Sequence, residues 1–293
     1  MALFPRPWLI HVADLHSQLT RRFSNSRSLP KTPILVRVRR HELKGPKVLE
    51  TSGCAVANKL SREVDIEDLR RLAERRMPRI VFDYLDGGAE AEVTLKENSR
   101  AFETITFRPR QALPTADTDL RTSILGCELA FPLILGPIGY TRLIHASGEL
   151  AVARAAGAAG VGYVVATFAG YRLEEVKAAT SGPAWYQLYL VAGREAAEAA
   201  IERARLAGYS ALVVTVDTPV AGLRERDVRN GMKELLAGSL LSKLPFLPQL
   251  LAHPQWLASF LMDGGLPKLE NVILPGRGPM PLVGVSAGLA RQS

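Results

Sequence analysis

The chain has 293 residues, of which 47% are hydrophobic and 23% are charged, and its formal net charge is +8. This length suffices for a large core in one or two domains, and no run of about twenty apolar residues predicts a membrane-spanning helix. Two cysteines, Cys54 and Cys127, exclude a disulfide framework and have no metal-ligand spacing, which fits a reducing compartment.

The positive charge is concentrated at the start of the chain. Residues 1–62 contain twelve Lys/Arg and three acids, whereas residues 63–293 have a net charge of −1. The body therefore gives no indication of nucleic-acid binding, and we predict none. Residues 1–62 lack apolar periodicity, which predicts a disordered basic leader. Their arginine-rich, acid-poor composition is equally typical of a transit peptide and of a start site placed too far upstream.

Two helices are predicted at the start of the body, residues 63–293. The first begins at Asp65, where acids in the first turn precede apolar residues at helical spacing. The second begins after Pro78 and ends at Gly87-Gly88. It places Tyr84 beside a glycine turn, although a tyrosine at such a position is more often a core residue than a ligand contact.

Four apolar runs then alternate with helical segments. The runs are Phe131–Leu135, Val161–Val165, Trp185–Leu190 and Ala211–Val216, and the helical segments are Gly148–Ala159, Arg172–Ala179 and Arg194–Ala207. This alternation predicts an α/β fold with a parallel sheet covered by helices. A doubly wound sheet and a (β/α)8 barrel both fit. The chain lacks G-x-G-x-x-G after its first strand, and polar residues at the strand ends favour the barrel.

Polar side chains follow the last two apolar runs. Gln187 shares a strand face with Tyr189, and Thr215 shares one with Asp217. Three arginines follow: Arg224, Arg226 and Arg229. A hydroxyl, a carboxylate and arginines after a buried strand predict an anion-binding catalytic site. Two alternatives stay open, namely that Gln187 and Thr215 only satisfy each other inside the core, and that the arginines form a solvated turn.

Residues 235–262 are apolar, but Pro245, Pro248 and Pro254 interrupt them. The segment is too interrupted to span a bilayer. It either lies in the membrane interface or packs on its own protein, and the sequence favours neither. The chain closes with a predicted loop at residues 275–279.

Five ordered motifs resemble the FMN-dependent α-hydroxy-acid dehydrogenases and oxidases, the family of glycolate oxidase, L-lactate dehydrogenase and mandelate dehydrogenase. They are F-D-Y-L-D-G-G-A from Phe82, N-S-R-A-F from Asn98, G-P-I-G from Gly136, W-Y-Q-L-Y from Trp185, and the segment from Thr215 to Gly231. The resemblance begins near Val64 and corresponds to the amino-terminal part of the family. It implies a (β/α)8 TIM barrel that binds FMN.

The resemblance also implies roles for individual residues. Those implied to bind substrate are Tyr84, Tyr189 and Arg224, and those implied to contact FMN are Pro137, Ile138, Gly139, Gln187 and Thr215. Arg224 would hold the carboxylate of a small L-2-hydroxy acid, for which a planar bidentate donor is suited. In the family chemistry a histidine takes the hydroxyl proton, and the α-hydrogen passes with its electrons to the flavin, giving a 2-oxo acid. Flavin supplies the redox chemistry, and the protein supplies orientation.

The chain departs from the family pattern in two ways. Ala166, followed by Thr167, stands where the family usually has a serine that touches the flavin, so one hydrogen bond is lost or shifted. In addition, four strands are found where a barrel has eight, and the family's catalytic histidine has no counterpart. We therefore expect an incomplete barrel of about four βα units, impaired in catalysis. We assign no catalytic residue, and we expect His145 and His253 to be structural or solvated.

Two functions follow from these expectations. The first is FMN-dependent oxidation of a lactate-, mandelate- or glycolate-type acid, and the alternative is an inactive truncated half-barrel. The expected partners are the acid itself, a membrane surface contacted through residues 235–262, and a second copy or complementing barrel half that pairs with open strand edges. The expected location is the cytoplasm or the inner face of the plasma membrane. The sequence specifies neither the hydroxy acid nor the electron acceptor.

Overall fold

A computed structural model describes residues 63–112, 118–190, 193–216, 222–237, 239–274 and 278–281. The predicted disordered leader, residues 1–62, lies outside the described residues, as does Asp217. The predicted extent of the domain, residues 63–293, therefore stays a prediction at both boundaries.

The elements follow one another in three groups. The first group is α1 (Ile66–Arg76), α2 (Arg79–Asp86), α3 (Val93–Arg100), a short 3₁₀ helix, and a hairpin of β1 (Thr122–Ile124) and β2 (Cys127–Leu129). The second is β3 (Ile134–Leu135), α4 (Thr141–Ile144), α5 (Gly148–Ala159), β4 (Gly162–Val165), α6 (Leu173–Ala178), β5 (Ala184–Leu188), α7 (Gly193–Leu206) and β6 (Ala211–Val214). The third is α8 (Glu225–Arg229), α9 (Met232–Ala237), α10 (Leu240–Lys243), a second 3₁₀ helix, α11 (Leu247–Leu251), α12 (Pro254–Met262), β7 (Lys268–Leu274) and β8 (Gly278–Pro281).

The central sheet has four parallel strands in the order β3-β4-β5-β6, so strands adjacent in sequence are adjacent in space. Its register places Gln187 opposite Val213 and Tyr163 opposite Ala184. The sheet confirms the predicted alternation of strands and helices. The first strand is shorter than predicted because Pro132, which has no N–H group to donate, interrupts the apolar run.

The outer face of the sheet packs against α5, α6 and α7. Alternate strand residues point to this face, and they are almost completely buried: Tyr163, Val165, Tyr186 and Leu188. The helices meet them with small residues at helical spacing: Ala153, Ala156, Ala197, Ala200 and Ala204. Because alanine side chains are short, the helices lie close against the strands, and this layer forms the main core.

The inner face of the sheet is covered at its amino-terminal end by the β1–β2 hairpin. Ile124 and Leu125 of the hairpin pack against Val164, Trp185 and Ala211 of the sheet. The hairpin therefore covers the end of the sheet at which the strands begin. The polar residues of the inner face lie at the other end, where the strands finish.

Residues 232–237 and 239–263 fold over the amino-terminal helices as a strap. Met232 joins a buried cluster with Ile80 and Val81 of α2, and Trp256 packs on its edge. The Trp256 indole N–H donates to the carbonyl oxygen of Leu143 at 3.1 Å. One side of the predicted apolar segment thus packs on its own protein. Within the described part of the chain, every helix is too short or too polar to span a membrane.

Strand β7 was missed by the sequence reasoning, and it joins the outer layer of helices. Asn271 is 3% exposed, accepts a hydrogen bond from the backbone N–H of Leu173 at 3.0 Å, and donates one to the carbonyl oxygen of Tyr171 at 2.9 Å. The closing loop predicted at residues 275–279 overlaps β8. Gly278 and Pro279 pair antiparallel with β7 instead, because a register shift lets the ladder accommodate them.

Candidate active site at the carboxyl ends of the strands

A hydrogen-bond network joins the carboxyl ends of β4, β5 and β6. Gln187 is 2% exposed; its Nε2 donates to Thr215 Oγ1 at 2.7 Å, and its Oε1 accepts from the Thr167 backbone N–H at 3.0 Å. Thr167 Oγ1 donates to the Gln187 carbonyl oxygen at 2.6 Å and accepts from the Tyr189 N–H at 2.9 Å. Gln187 and Thr215 therefore hydrogen-bond each other, as one of the alternatives in the sequence analysis proposed. A primary amide carries a second N–H and a hydroxyl keeps a donor, so the pair retains capacity for a ligand.

Four aromatic rings form a continuous row beside this network. Tyr84 meets Tyr140 edge-on with ring centroids 5.8 Å apart, and Tyr140 stacks on Phe168 at 5.7 Å. Phe168 in turn stacks on Tyr189 at 5.3 Å. Offset stacking and edge-to-face contacts of this kind are favourable beyond the area that they bury. The row thus links α2 to the end of β5 and brings the two predicted substrate tyrosines to one wall.

Arg224 lies against the Tyr84 end of this row. Its guanidinium carbon is 4.8 Å from the centroid of the Tyr84 ring, and its Nη2 donates to the Tyr84 carbonyl oxygen. Its Nε donates to Asp227 Oδ2 at 2.8 Å, which fixes the plane of the group. Burial raises the pKa of Tyr84 to about 12, and the charge of Arg224 acts in the opposite direction. The Tyr84 hydroxyl is therefore a protonated donor at neutral pH, beside a cation.

The loop after β3 presents its backbone at the same end of the sheet. Pro137 and Ile138 are exposed, with Ile138 at 51%. Gly139 lies so close to Phe168 that a Cβ there would be 3.1 Å from the Phe168 Cβ. The Tyr140 N–H donates to the Phe168 carbonyl oxygen at 3.0 Å. Contacts with Phe168 thus hold the loop in place at residues 139–140. Pro137 and Ile138, which precede them, are accessible to a ligand.

These residues fit an isoalloxazine ring. The exposed apolar segment Pro137–Ile138 suits the face of a planar ring, and the absence of a side chain at Gly139 lets the backbone lie close against Phe168. Gln187 and Thr215 both donate and accept hydrogen bonds, as the alternating N–H and C=O groups of a flavin's polar edge require. The five predicted flavin contacts thus all lie at the ends of β3, β5 and β6.

Two residues of this site were missed by the sequence reasoning. Tyr140 has a left-handed backbone (φ 60°), which is uncommon for tyrosine, and burial raises the pKa of its hydroxyl. Phe168 stacks between Tyr140 and Tyr189. Their positions directly after G-P-I-G and after Ala166-Thr167 were the available signal. At the second of these positions, the hydroxyl of Thr167 bonds the neighbouring strand instead of replacing the one that is absent from Ala166.

The three arginines predicted to act together are separated by the structure. Arg224 alone contacts Tyr84, whereas Arg226 pairs with Asp86 and Glu92. Arg229 is 72% exposed and pairs with Glu225 one turn earlier in α8. The prediction of a common anion site is therefore wrong for Arg229, because a five-residue helix directs its side chain to solvent.

The two histidines of the described residues make local contacts. His145 Nδ1 accepts from the Ser147 N–H at 3.1 Å at the end of α4, and His253 Nδ1 lies 2.7 Å from the carbonyl oxygen of Gln249. Both contacts are structural, as expected, and neither histidine belongs to the aromatic row or the strand-end network.

Comparison with known proteins agrees with this geometry. The FMN-dependent dehydrogenase family matches residues 73–277. (S)-Mandelate dehydrogenase of Pseudomonas putida is 35% identical over 209 residues, which are 71% of this chain and 52% of that protein. L-Lactate oxidase of Nostoc sp. is 42% identical over 175 residues, 58% of this chain and 48% of that protein.

A crystal structure of the monotopic membrane protein (S)-mandelate dehydrogenase superposes with a TM-score of 0.71 at 32% identity, covering 79% of this chain and 60% of that one. The chain thus spans about half the length of the relatives that it matches in sequence. Its strand order, strand-end residues and matched range lead to one assignment: the chain belongs to the FMN-dependent dehydrogenase family, and its four strands are neighbouring strands of that family's (β/α)8 barrel.

Proposed function

We propose that this chain takes part in the FMN-dependent oxidation of a small L-2-hydroxy acid to the 2-oxo acid. One observation carries the proposal, namely the unbroken line of contacts that runs from Arg224 and Tyr84 along the aromatic row to the Gln187–Thr215 pair. A carboxylate-binding end and a flavin-binding end are thereby parts of one surface. Relatives that are named for lactate and mandelate support this class of substrate.

The substrate end suits a carboxylate. Arg224 offers a planar fork of N–H donors, and its Nε is already oriented by Asp227. The Tyr84 hydroxyl, kept protonated by burial, adds a neutral donor. Tyr189, at the other end of the row, would face the substrate near its reacting carbon. Together these groups bind and orient an acid.

Bound FMN would supply the two-electron acceptor that the oxidation requires. The chain's own residues would position it: the backbone from Pro137 to Gly139 against the ring face, and Gln187 and Thr215 along the polar edge. The aromatic row would exclude water from the space between ring and acid. The group that accepts the hydroxyl proton is not among the residues assigned in the described part of the chain, and the expected impairment of catalysis stays a prediction.

The experiment that tests this proposal is anaerobic reduction, by a hydroxy acid, of the flavin bound to the purified chain. The 293-residue chain is loaded with FMN, and its visible spectrum is recorded before and after adding L-lactate, glycolate or (S)-mandelate. Bleaching by one of the acids supports the proposed oxidation. Bound flavin that no acid bleaches supports a role in binding without catalysis, and a colourless, aggregating chain supports the inactive half-barrel.

We further propose that the strap lies on a membrane surface. Several of its apolar side chains point to solvent, including Leu241 at 77% exposure, Leu261 at 64% and Met262 at 82%. Apolar residues that face solvent along one segment are typical of segments that lie in a membrane interface. A relative described as a monotopic membrane protein supports this placement. Location at the cytoplasmic side, and pairing of the strand edges with a second chain, stay predictions.

A further inference from the structure

Arg226 lies where acidic side chains from α2 and from the turn after it meet. Its Nη1 is 2.9 Å from Asp86 Oδ2 and 3.9 Å from Asp83 Oδ1, and its Nη2 is 2.6 Å from Glu92 Oε2. Arg70 of α1 also holds Asp86, through two hydrogen bonds of 2.6 and 2.9 Å. One guanidinium on α8 therefore joins carboxylates that lie more than 130 residues earlier in the chain.

The charges of this cluster are complementary and partly shielded from water. The side chains of Asp86 and Glu92 are 15% and 12% exposed. Hydrogen bonds from Arg70 and Arg226 lower the pKa of Asp86, and the hydrogen bond from Arg226 lowers that of Glu92. Both carboxylates are therefore ionised at neutral pH. Ion pairs at such partly buried positions are screened less by salt than those on an open surface.

The backbones of the two segments also touch at this point. The Glu90 N–H donates to the Leu223 carbonyl oxygen at 2.7 Å, and a Cβ on Gly222 would lie 2.8 Å from the Cβ of Ala89. Glu90 and Glu92 have left-handed backbones, with φ of 50° and 59°. Non-glycine residues keep such conformations only where their surroundings hold them. The turn and the loop thus fix each other.

In each of the two joined segments, a group proposed to bind the carboxylate lies two residues before the residue that forms the junction. Arg224 precedes Arg226 by two residues, and Tyr84 precedes Asp86 by two. We propose that Arg226 is a positioning residue, which holds the loop bearing Arg224 against the helix end bearing Tyr84 so that both face the substrate carboxylate at a fixed spacing. The identity of that ligand rests on the proposed function, whereas the junction itself is independent of it.

Arg229 provides a matched control. It lies on the same short helix and also pairs with a glutamate, but the pair is local and exposed. Arg226→Gln and Arg229→Gln remove the same charge from the same helix. Arg226→Lys keeps the charge and removes the fork that reaches two carboxylates at once. Comparing the three variants separates loss of the junction from loss of charge.

Calorimetric titration with oxalate, a small planar carboxylate ligand, tests the proposal on the full chain with and without FMN. We expect Arg226→Gln to weaken oxalate binding at least tenfold, Arg226→Lys to restore part of it, and Arg229→Gln to change it less than twofold. In an Arg224→Lys background, Arg226→Gln should change it by no more than twofold, because its effect acts through Arg224. Equal weakening in both backgrounds, or a parallel loss of FMN affinity, would show a general structural role and overturn the proposal.

Hydrogen exchange followed by mass spectrometry separates this proposal from the proposed function. If the unsubstituted chain binds no oxalate, the proposed function fails. Hydrogen exchange alone then tests whether Arg226 connects the two segments. The junction requires faster amide exchange in both residues 84–92 and residues 222–230 of Arg226→Gln, and not in Arg229→Gln. Unchanged exchange in residues 84–92 would mean that Arg226 does not connect the two segments.

Discussion

The side chain of Arg224 is held in place by the protein before any acid binds. Its Nε–H donates to Asp227 at 2.8 Å, and its guanidinium lies over the Tyr84 ring. A group that is already ordered loses less conformational entropy when it binds a ligand. At the scale of single residues, we therefore expect Arg224 to be the main contact of the proposed carboxylate ligand.

Arg224→Ala should weaken binding of the hydroxy acid by on the order of 10- to 100-fold, since a charge-assisted hydrogen bond contributes about 1.5–3 kcal/mol. Affinity for FMN should stay unchanged, because the flavin contacts lie at the ends of β3, β5 and β6. Titration of the FMN-loaded chain with the acid measures the first affinity, and titration of the flavin-free chain with FMN measures the second, both followed by flavin absorbance. Arg229→Ala serves as the control, and loss of flavin from the Arg224 variant would contradict the assigned role.

The raised pKa of Tyr84 predicts that the chain loses stability at alkaline pH. Its pKa is raised to about 12 by burial, above the value near 10 of an unfolded tyrosine. The contribution of the neutral hydroxyl is therefore complete below pH 10 and is lost as the pH rises from 10 towards 12. Tyr84→Phe should lose less of its unfolding free energy over that interval than the parent chain does. Denaturant unfolding at pH 9, 10 and 11 tests this, and identical slopes would refute it.

At the scale of elements, the strap has one packed side and one exposed side. Its packed side is fixed by Trp256, and by Arg142, whose Nη2 lies 2.7 Å from Asp263 Oδ2. Its exposed leucines do not pack in the core, and their burial in lipid would be favourable by about 1.5–3 kcal/mol each. Because this attraction is apolar, it should persist at high salt.

The triple variant Leu241→Ser, Leu251→Ser, Leu261→Ser should reduce flotation with liposomes more than tenfold at high salt. Leu206→Ser on α7 is the control, since this leucine is 71% exposed but lies outside the strap. Flotation is measured as the fraction of chain that rises with the vesicles in a density gradient. Equal flotation of the parent and triple variants would exclude the strap as the membrane contact.

At the scale of the whole molecule, the sequence predicted the alternating strands and helices. It did not predict features that depend on contacts between residues far apart in the chain. The four strands followed from continuous apolar runs, and Gln187 and Thr215 followed from strand polarity. Strand β7 was not predicted because its burial depends on Asn271 reaching Leu173, about a hundred residues earlier. Arg226 was likewise grouped with Arg224 by proximity in sequence, although its partners are Asp86 at the end of α2 and Glu92 in the turn after it.

We expect the carboxyl ends of these strands to form a flavin-binding surface. Titration of the purified chain with FMN, followed by quenching of flavin fluorescence, tests it most directly when Thr215→Val and Thr122→Val are compared. We predict saturable quenching that Thr215→Val weakens about five- to tenfold, by loss of one hydrogen bond. We predict that Thr122→Val, in the β1–β2 hairpin, leaves the quenching unchanged. Absence of quenching, or equal binding by both variants, would contradict the account.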